Sequence, residues 1–412
     1  MTSQYTLGRR VMEHIHALDA FTNEPGRLTR LYLSPAHKAA AEHVRGLMIA
    51  AGLDAHVDAV GNVVGRYGSA DLPTLYLGSH IDSVVDAGRH DGPLGVMCAL
   101  IAAEEIARDG ARLPFALEVL AFGDEENVRF PTSLSTSYAV VGRYDDAWLD
   151  GCDAKGTSLR EALVAFGGDP AGIAAVARDP ARCVGYLEVH IEQGPVLEAQ
   201  DLPIGVVTAI NAAIRARCKV TGEAGHAGTV PMSMRRDALA ASAQMIAAIE
   251  RIGADYPDAV ATVGQLTVSP GAVNVIPGGV AFTLDARAPQ DAACKAMVAQ
   301  IMDACRAIAQ ERGVAFAEER FVDTPATPMD AHLVAALVEG AKRAGASAIE
   351  LPSGAGHDAV AMAALGPVGM LFVRCEKGIS HNPAENITVA DADAAVRSLI
   401  ETIRVLGEEQ GR

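Results

Sequence analysis

The sequence predicts an α/β protein of two domains, a mainly parallel sheet with helices on both faces interrupted by a smaller α+β insertion. Three observations carry that prediction. Short apolar runs alternate with helical patterns early and late in the chain, the order of a parallel sheet. Between about residues 211 and 327 the order becomes strand, helix, strand, strand, helix, that of a small α+β sandwich. The 412 residues exceed one ordinary domain and are accounted for by two. The predicted boundaries are 1–210 with 328–412 for the larger domain and 211–327 for the insertion.

Helical patterns come first, at about 7–21, where Leu7, Val11, His14 and Leu18 share one face, and at 35–52. PTLYLGSH at 73–80 reads as a buried strand. A helix follows, with Asp91 able to cap it, Pro93 in its first turn, Leu94, Met97, Cys98 and Ile101 along one side, and Gly110 at its end. FALEVLAFG at 115–123 and GYLEVHIEQG at 185–194 are further strands. The insertion holds AIRARCKVTG, a helix at 235–252, VATVGQLTVSP, VAFTLDARAP and a helix at 291–312. Then come a helix at 330–344, an apolar strand at 368–373 and a closing helix at 390–407.

Composition narrows the function. Lys and Arg number 34 against 51 Asp and Glu, a net charge of -17, so nucleic acid and anionic membrane are repelled. A small carboxylate substrate remains open, because one or two local arginines can dominate a pocket. The seven cysteines form no C-x-x-C pair, and no disulfide framework is expected. The first 21 residues lack the apolar core of a signal peptide, and the apolar run from Ala359 to Val373 is broken by Gly366-Pro367. A cytoplasmic protein without a membrane span is expected.

Ligands of a parallel sheet collect beyond the carboxyl ends of its strands, and the polar clusters fall there. His80-x-Asp82 ends one strand, and Asp91 follows eleven positions after His80. Together they offer an imidazole and a carboxylate for one cation, with Asp82 able to accept the other ring N–H. Taken alone, Asp91 reads first as a helix cap. Glu125 and Glu126 follow the strand VLAFG, so that one could bind metal while the other acts as a general base on water. His190 lies in a strand and His381 in GISHNPAE. Singly each reads as a hydrogen-bonded histidine, but four strand-end loops each supply a donor suited to a divalent ion.

GSHIDSV, HDGPLGV, FGDEENVRF, VHIEQGPVLE, GEAGHAGTVPM, NVIPG, DARAP, SGAGHDA and ISHNPAE together resemble the ureido-hydrolysing branch of the M20 metallopeptidase-like amidohydrolases. That branch holds N-carbamoyl-L-amino-acid hydrolases, allantoate amidohydrolases and β-ureidopropionases. The motifs run in the family's order from residue 78 to 386. The resemblance implies a site for two divalent ions per chain, zinc or manganese with cobalt or nickel possible. Asp91 would bridge them, with His80 and His190 on one ion and Glu126 and His381 on the other. Glu125 would be the base, and Asp82 would orient His80. His90 and Asp86 are read as surface or loop residues.

The resemblance also makes the insertion a ferredoxin-like lid and dimerisation domain. His226 would polarise the scissile carbonyl, and Asn274 and Arg287 would hold the substrate carboxylate. Gln193, Gly356 and His357 would line the same pocket. Without the resemblance, Asn274 reads as a turn residue and Arg287 as an ordinary strand-end residue. The implied reaction is hydrolysis of a ureido C–N bond in an N-carbamoyl-L-amino acid or an allantoate-like substrate, releasing ammonia and carbon dioxide. An M20 aminoacylase or dipeptidase and a catalytically silent binding protein are the alternatives. Ala209-Ile210-Asn211-Ala212-Ala213 departs from relatives that carry Gly and then Gln or a large side chain, and Ser137-Tyr138 stands where many have Ser-Arg. Both departures bear on which substrate is taken.

Overall fold

The computed structural model describes residues 6–110 and 112–410; the first five residues of the N-terminal stretch read above lie outside them. The chain divides into two compact units. One runs to Thr208 and resumes with Met329–Leu351 and from Gly356, and the other comprises Ala209–Pro328 and Pro352–Ala355.

In chain order the strands are β1 (Asp54–Val57), β2 (Val63–Tyr67), β3 (Thr74–His80), β4 (Ala116–Phe122), β5 (Cys183–Ile191), β6 (Ile204–Ile210), β7 (Ala212–Thr221), β8 (Gly225–His226), β9 (Val260–Thr262), β10 (Leu266–Ser269), β11 (Val275–Ile276), β12 (Gly279–Ala288), β13 (Ala315–Thr324), β14 (Thr327–Pro328), β15 (Ala348–Ser353) and β16 (Val368–Val373). The larger sheet has the order β1-β2-β4-β3-β5-β16-β6-β14, with β15 also on β6. Its centre is parallel, through β3 with β4, β3 with β5 and β5 with β16. Its flanks are antiparallel, through β1 with β2, β2 with β4 and β16 with β6.

The central strands are apolar on both faces because both are covered, as parallel sheets require. Every residue of β3, β4 and β16 is buried. Glu118 is an exception that is compensated, pairing with Arg66 at 3.2 Å and Arg178 at 2.8 Å. The common direction of β4, β3, β5 and β16 sends the loops after Phe122, His80, Ile191 and Val373 to one edge.

The helix Pro93–Arg108 follows β3 and is buried almost all round. Its N-cap is Gly92 at φ +82°, with no side-chain cap. Asp91, read in the sequence as the cap, is therefore freed for other contacts. The N-terminal helix ends at Leu18, three residues short of expectation. β1, β2, β6 and β15 were not foreseen, nor were the two-residue strands β8, β11 and β14. β13 was also missed, because as an exposed edge strand rich in charge (AEERFVD) it carries no apolar period.

In the second unit, β10-β12-β7-β13 form an antiparallel sheet with β9 also on β12. Alternation along β7 and β12 turns Ile214, Ala216, Val220, Phe282 and Leu284 toward a core shared with helices Ala238–Ala254 and Asp291–Arg312. The opposite face carries Arg215, Arg217, Asp285 and Arg287. β8 and β11 form a separate two-stranded ribbon. Among the described residues no helix is long and apolar enough to cross a membrane, and all seven cysteines are free.

Gly95 presses the helix Pro93–Arg108 onto the sheet, since a Cβ there would meet the Val189 carbonyl oxygen at 2.1 Å and Ser79 Cβ at 2.7 Å. In an open helix Gly→Ala stabilises by roughly 1 kcal/mol. Here overpacking should reverse the sign, so that Gly95→Ala destabilises by about 1–3 kcal/mol in urea unfolding. A gain in stability would show that the contact can relax.

Candidate metal centre

Five side chains from three strand ends and one further strand converge in the first unit. His80 ends β3, His190 lies on β5, Asp91 precedes the helix Pro93–Arg108, Glu126 follows β4, and His381 lies beyond β16. Asp91 Oδ1 is 3.5 Å from His80 Nε2 and 3.1 Å from His190 Nε2. Its other oxygen, Oδ2, is 3.2 Å from His381 Nε2, which is also 3.5 Å from Glu126 Oε2. Two three-donor groups, His80–Asp91–His190 and Asp91–Glu126–His381, thus share one carboxylate, each with its ligand atoms within 4.8 Å of one another.

The outward sides of the rings show what these groups are suited to hold. His80 Nδ1 is 3.1 Å from the Asp82 carbonyl and His190 Nδ1 is 3.0 Å from the Ile191 carbonyl. A carbonyl only accepts, so each Nδ1 carries a proton and donates it. Each Nε2 then turns a lone pair on the Asp91 carboxylate, an arrangement that is repulsive unless a proton or a cation lies between them. Without a cation the histidines must take that proton. Burial opposes it, but the Asp82 and Asp91 carboxylates raise His80 well above the usual imidazole range, and Asp91 raises His190. Burial pushes Asp91 up, yet His190, His381 and His80 hold it well below the usual carboxylate range. Glu126 has a buried oxygen, Oε1, without a hydrogen-bond partner among the described residues, and burial with the nearby Asp91 charge pushes its carboxyl up to about 7. Nitrogen and oxygen donors facing one another, buried apart from the half-exposed His381, are a donor set that fits divalent cations.

Backbone amides hold the loops in place. Asp82 accepts from the Glu125 N–H at 3.1 Å through Oδ1 and from the Glu126 N–H at 3.2 Å through Oδ2. Its carboxylate is 3.4 Å from His80 Nδ1, farther than its own carbonyl, so its main grip is on the two glutamates. Glu385 Oε1 accepts from His90 N–H at 2.7 Å and Asp91 N–H at 3.1 Å. Gly92 cannot carry a side chain, because a Cβ would meet the His80 ring at 2.5 Å. Gln193 Nε2 and Ser380 Oγ both donate to Asp91 Oδ2, at 2.9 and 2.8 Å. Gln193, expected along a substrate pocket, is thus bonded to the shared carboxylate. Gln193 and His381 adopt left-handed backbone, at φ +56° and +54°, a conformation that non-glycine residues hold only where their surroundings fix it.

Glu125 lies beside this group with its carboxyl raised well above the usual range, first by burial and then by the Glu126 and Asp358 charges. His357 is buried with its ring edge-on to His190, centroids 4.4 Å apart, and burial keeps it neutral. Gly356 faces open space. His90, read as a surface or loop residue, is buried, and that burial lowers its pKa to about 3. Asp86 is a loop residue at φ +56°. Glu385 and Ser380 were not singled out in the sequence, although both stand within the quoted GISHNPAE.

His226, Asn274 and Arg287 belong to the second unit. His226 is exposed on β8, and its Nδ1 accepts from Gly228 N–H at 3.1 Å, leaving the proton on Nε2. Asn274 is exposed, and its carbonyl accepts from Ala227 N–H at 2.9 Å. Arg287 is already engaged, through Nε and Nη2 with both oxygens of Asp285 at 2.9 Å and through Nη1 with the Gly354 carbonyl.

The model of peptidase family M20/M25/M40 matches residues 76–405. An N-carbamoyl-L-amino-acid amidohydrolase of Paenarthrobacter aurescens is 37% identical, the match covering 98% of this chain and 100% of that protein. An allantoate deiminase of Arabidopsis thaliana is 38% identical, over 97% of this chain and 82% of that one. A crystal structure of an amidase of the hydantoinase/carbamoylase family from Burkholderia multivorans superposes with a TM-score of 0.90 at 33% identity, over 97% and 98% of the two chains.

Glu385→Ala removes the acceptor of two buried N–H groups beside Asp91. Affinity for zinc or manganese, measured by competition with a fluorescent chelator, should fall by about 10–100-fold. Glu385→Gln retains an accepting oxygen and should lose much less. Equal losses in the two variants would mean that charge, rather than amide acceptance, is what Glu385 supplies.

Proposed function

Because this chain belongs to the peptidase family M20/M25/M40, we propose that its shared-carboxylate group holds two divalent cations in the service of the reaction its relatives define. That reaction is hydrolysis of a ureido C–N bond, a bond outside peptides, and in this chain it would release ammonia and carbon dioxide. The substrate is an N-carbamoyl-L-amino acid or an allantoate-like compound. The observation that carries the cation reading is the division of Asp91, with Oδ1 toward His80 and His190 and Oδ2 toward His381.

His80 and His190 would hold one ion, Glu126 and His381 the other, and Asp91 both. Zinc or manganese suits these donors, with cobalt or nickel as alternatives. When bound, such ions polarise a carbonyl and lower the pKa of water. Glu125 takes the proton of the attacking water and returns it to the departing nitrogen; its raised proton affinity suits both steps. Asp82 keeps Glu125 in position through the backbone. His226 donates from Nε2 to the developing oxyanion, the tautomer that its Nδ1 contact favours. Asn274 and Arg287 bind the substrate carboxylate.

The second unit serves as a lid and dimerisation domain in this reading. Its exposed Met232, Met234 and Val273 support a partner surface for a second copy of the chain. The seven free cysteines are in keeping with the reducing cytoplasm.

The direct test is ammonia release from N-carbamoyl-L-amino acids and allantoate after divalent-ion reconstitution, with N-acetyl amino acids as the amide comparison. Turnover of ureido compounds that chelation abolishes is expected, and turnover of the N-acetyl compounds alone would contradict the reading. Glu125→Gln should keep its bound metal, measured by elemental analysis, and lose about a hundredfold or more in kcat. Near-normal kcat would assign the base elsewhere.

A further inference from the structure

The helix-free face of the second unit's sheet holds charge that the reaction above does not use. Arg215 on β7 stands opposite Asp285 on β12, and Arg217 stands opposite Thr283. Arg215 Nε donates to Asp285 Oδ2 at 2.9 Å, and Arg287 Nη2 donates to the same oxygen at 2.9 Å. One carboxylate therefore lashes two guanidiniums side by side. Arg287 is engaged on three nitrogens, whereas among the described residues Arg215 makes no hydrogen bond through Nη1 or Nη2. Arg217 lies 4.5 Å over the Phe321 ring.

These residues line a groove of about 780 Å³ in the second unit, together with Gln265 and Gly354. Its lining contains three guanidiniums and one carboxylate. A surplus of two positive charges is thus concentrated on a chain whose net charge is -17. A long-range field that repels anions makes a local cationic groove informative, because nothing in the chain's overall charge would produce it. Each guanidinium has five donors in a fixed plane, and a partner that already fixes that plane lowers the ordering cost of binding a second anion.

We propose that this groove is a subsite for a second substrate carboxylate, so that the preferred substrates are N-carbamoyl derivatives of amino acids with acidic side chains. Arg287 takes the α-carboxylate, and the free Nη edge of Arg215, flanked by Arg217, takes the carboxylate at the end of the side chain. Because both arginines bond the same Asp285 oxygen, their guanidiniums are neighbours, as two carboxylates of one short molecule require. This inference rests on the ureido-hydrolase reading and on the part Arg287 has in it.

The test uses isosteric pairs that differ in charge alone. kcat/KM is measured for N-carbamoyl-L-aspartate against N-carbamoyl-L-asparagine, and for N-carbamoyl-L-glutamate against N-carbamoyl-L-glutamine, with the metal-reconstituted chain and its Arg215→Gln variant. The unaltered chain should favour the acids by about tenfold or more, as a charge-assisted contact would. Arg215→Gln should bring both ratios close to one, and its turnover of the amides reports that the variant is folded. Equal rates on acid and amide in the unaltered chain, or a preference that survives Arg215→Gln, would overturn the subsite and leave the ureido reading intact. No turnover of any of the four, with N-acetyl amino acids hydrolysed, would remove both.

Discussion

A buried carboxylate faced by three imidazoles is the constraint around which the first unit is arranged. Asp91 is 4% exposed, and removing a charge from water at that depth costs several kcal/mol unless it is matched. The matching is built from the backbone outward. The Asp82 and Ile191 carbonyls fix the tautomers of His80 and His190, so that both Nε2 atoms face Asp91 Oδ1. Gly92 lets the chain turn close enough to His80 for this, at a φ that other residues rarely adopt. Glu385 and Asp82 secure the two loops by accepting pairs of amides, the first beside Asp91 and the second beneath Glu125 and Glu126. The neutral alternative, an apolar residue in place of Asp91, would take this partner from five polar side chains, His80, His190, His381, Gln193 and Ser380.

The two units differ in their electrostatic environments. In the first unit acid and imidazole are packed so tightly that each determines the charge of the other, which is the condition for holding cations and for a carboxyl of high proton affinity. In the second unit the guanidiniums of Arg215, Arg217 and Arg287 outnumber the carboxylate of Asp285, which is the condition for holding an anion.

Much of this could be read before any coordinates. The central strands β3, β4, β5 and β16 announce themselves as apolar runs, and the residues that end or follow them are the ones that converge. Asp91 was ambiguous, since an acid before Pro93 is as good a cap as a ligand, and only the backbone of Gly92 decides it. The family resemblance supplied the pairing of ligands that spacing left open. What stayed hidden depends on long-range contact. Glu385 is nearly three hundred residues from the amides it holds, and the burial of His90 has no local signature. The sharing of Asp285 by Arg215 and Arg287 requires the register of β7 against β12, which alternation alone does not give. β13 lies exposed at an edge and shows no apolar period.

The central claim is that Asp91 lies between two cations. Crystals grown with manganese and measured at an energy where manganese scatters anomalously would show it directly. The account predicts two peaks per chain about 3.5–4 Å apart, one beside His80 and His190 and the other beside Glu126 and His381, each touching a different oxygen of Asp91. A single peak at full manganese saturation, or two that do not share Asp91, would contradict it.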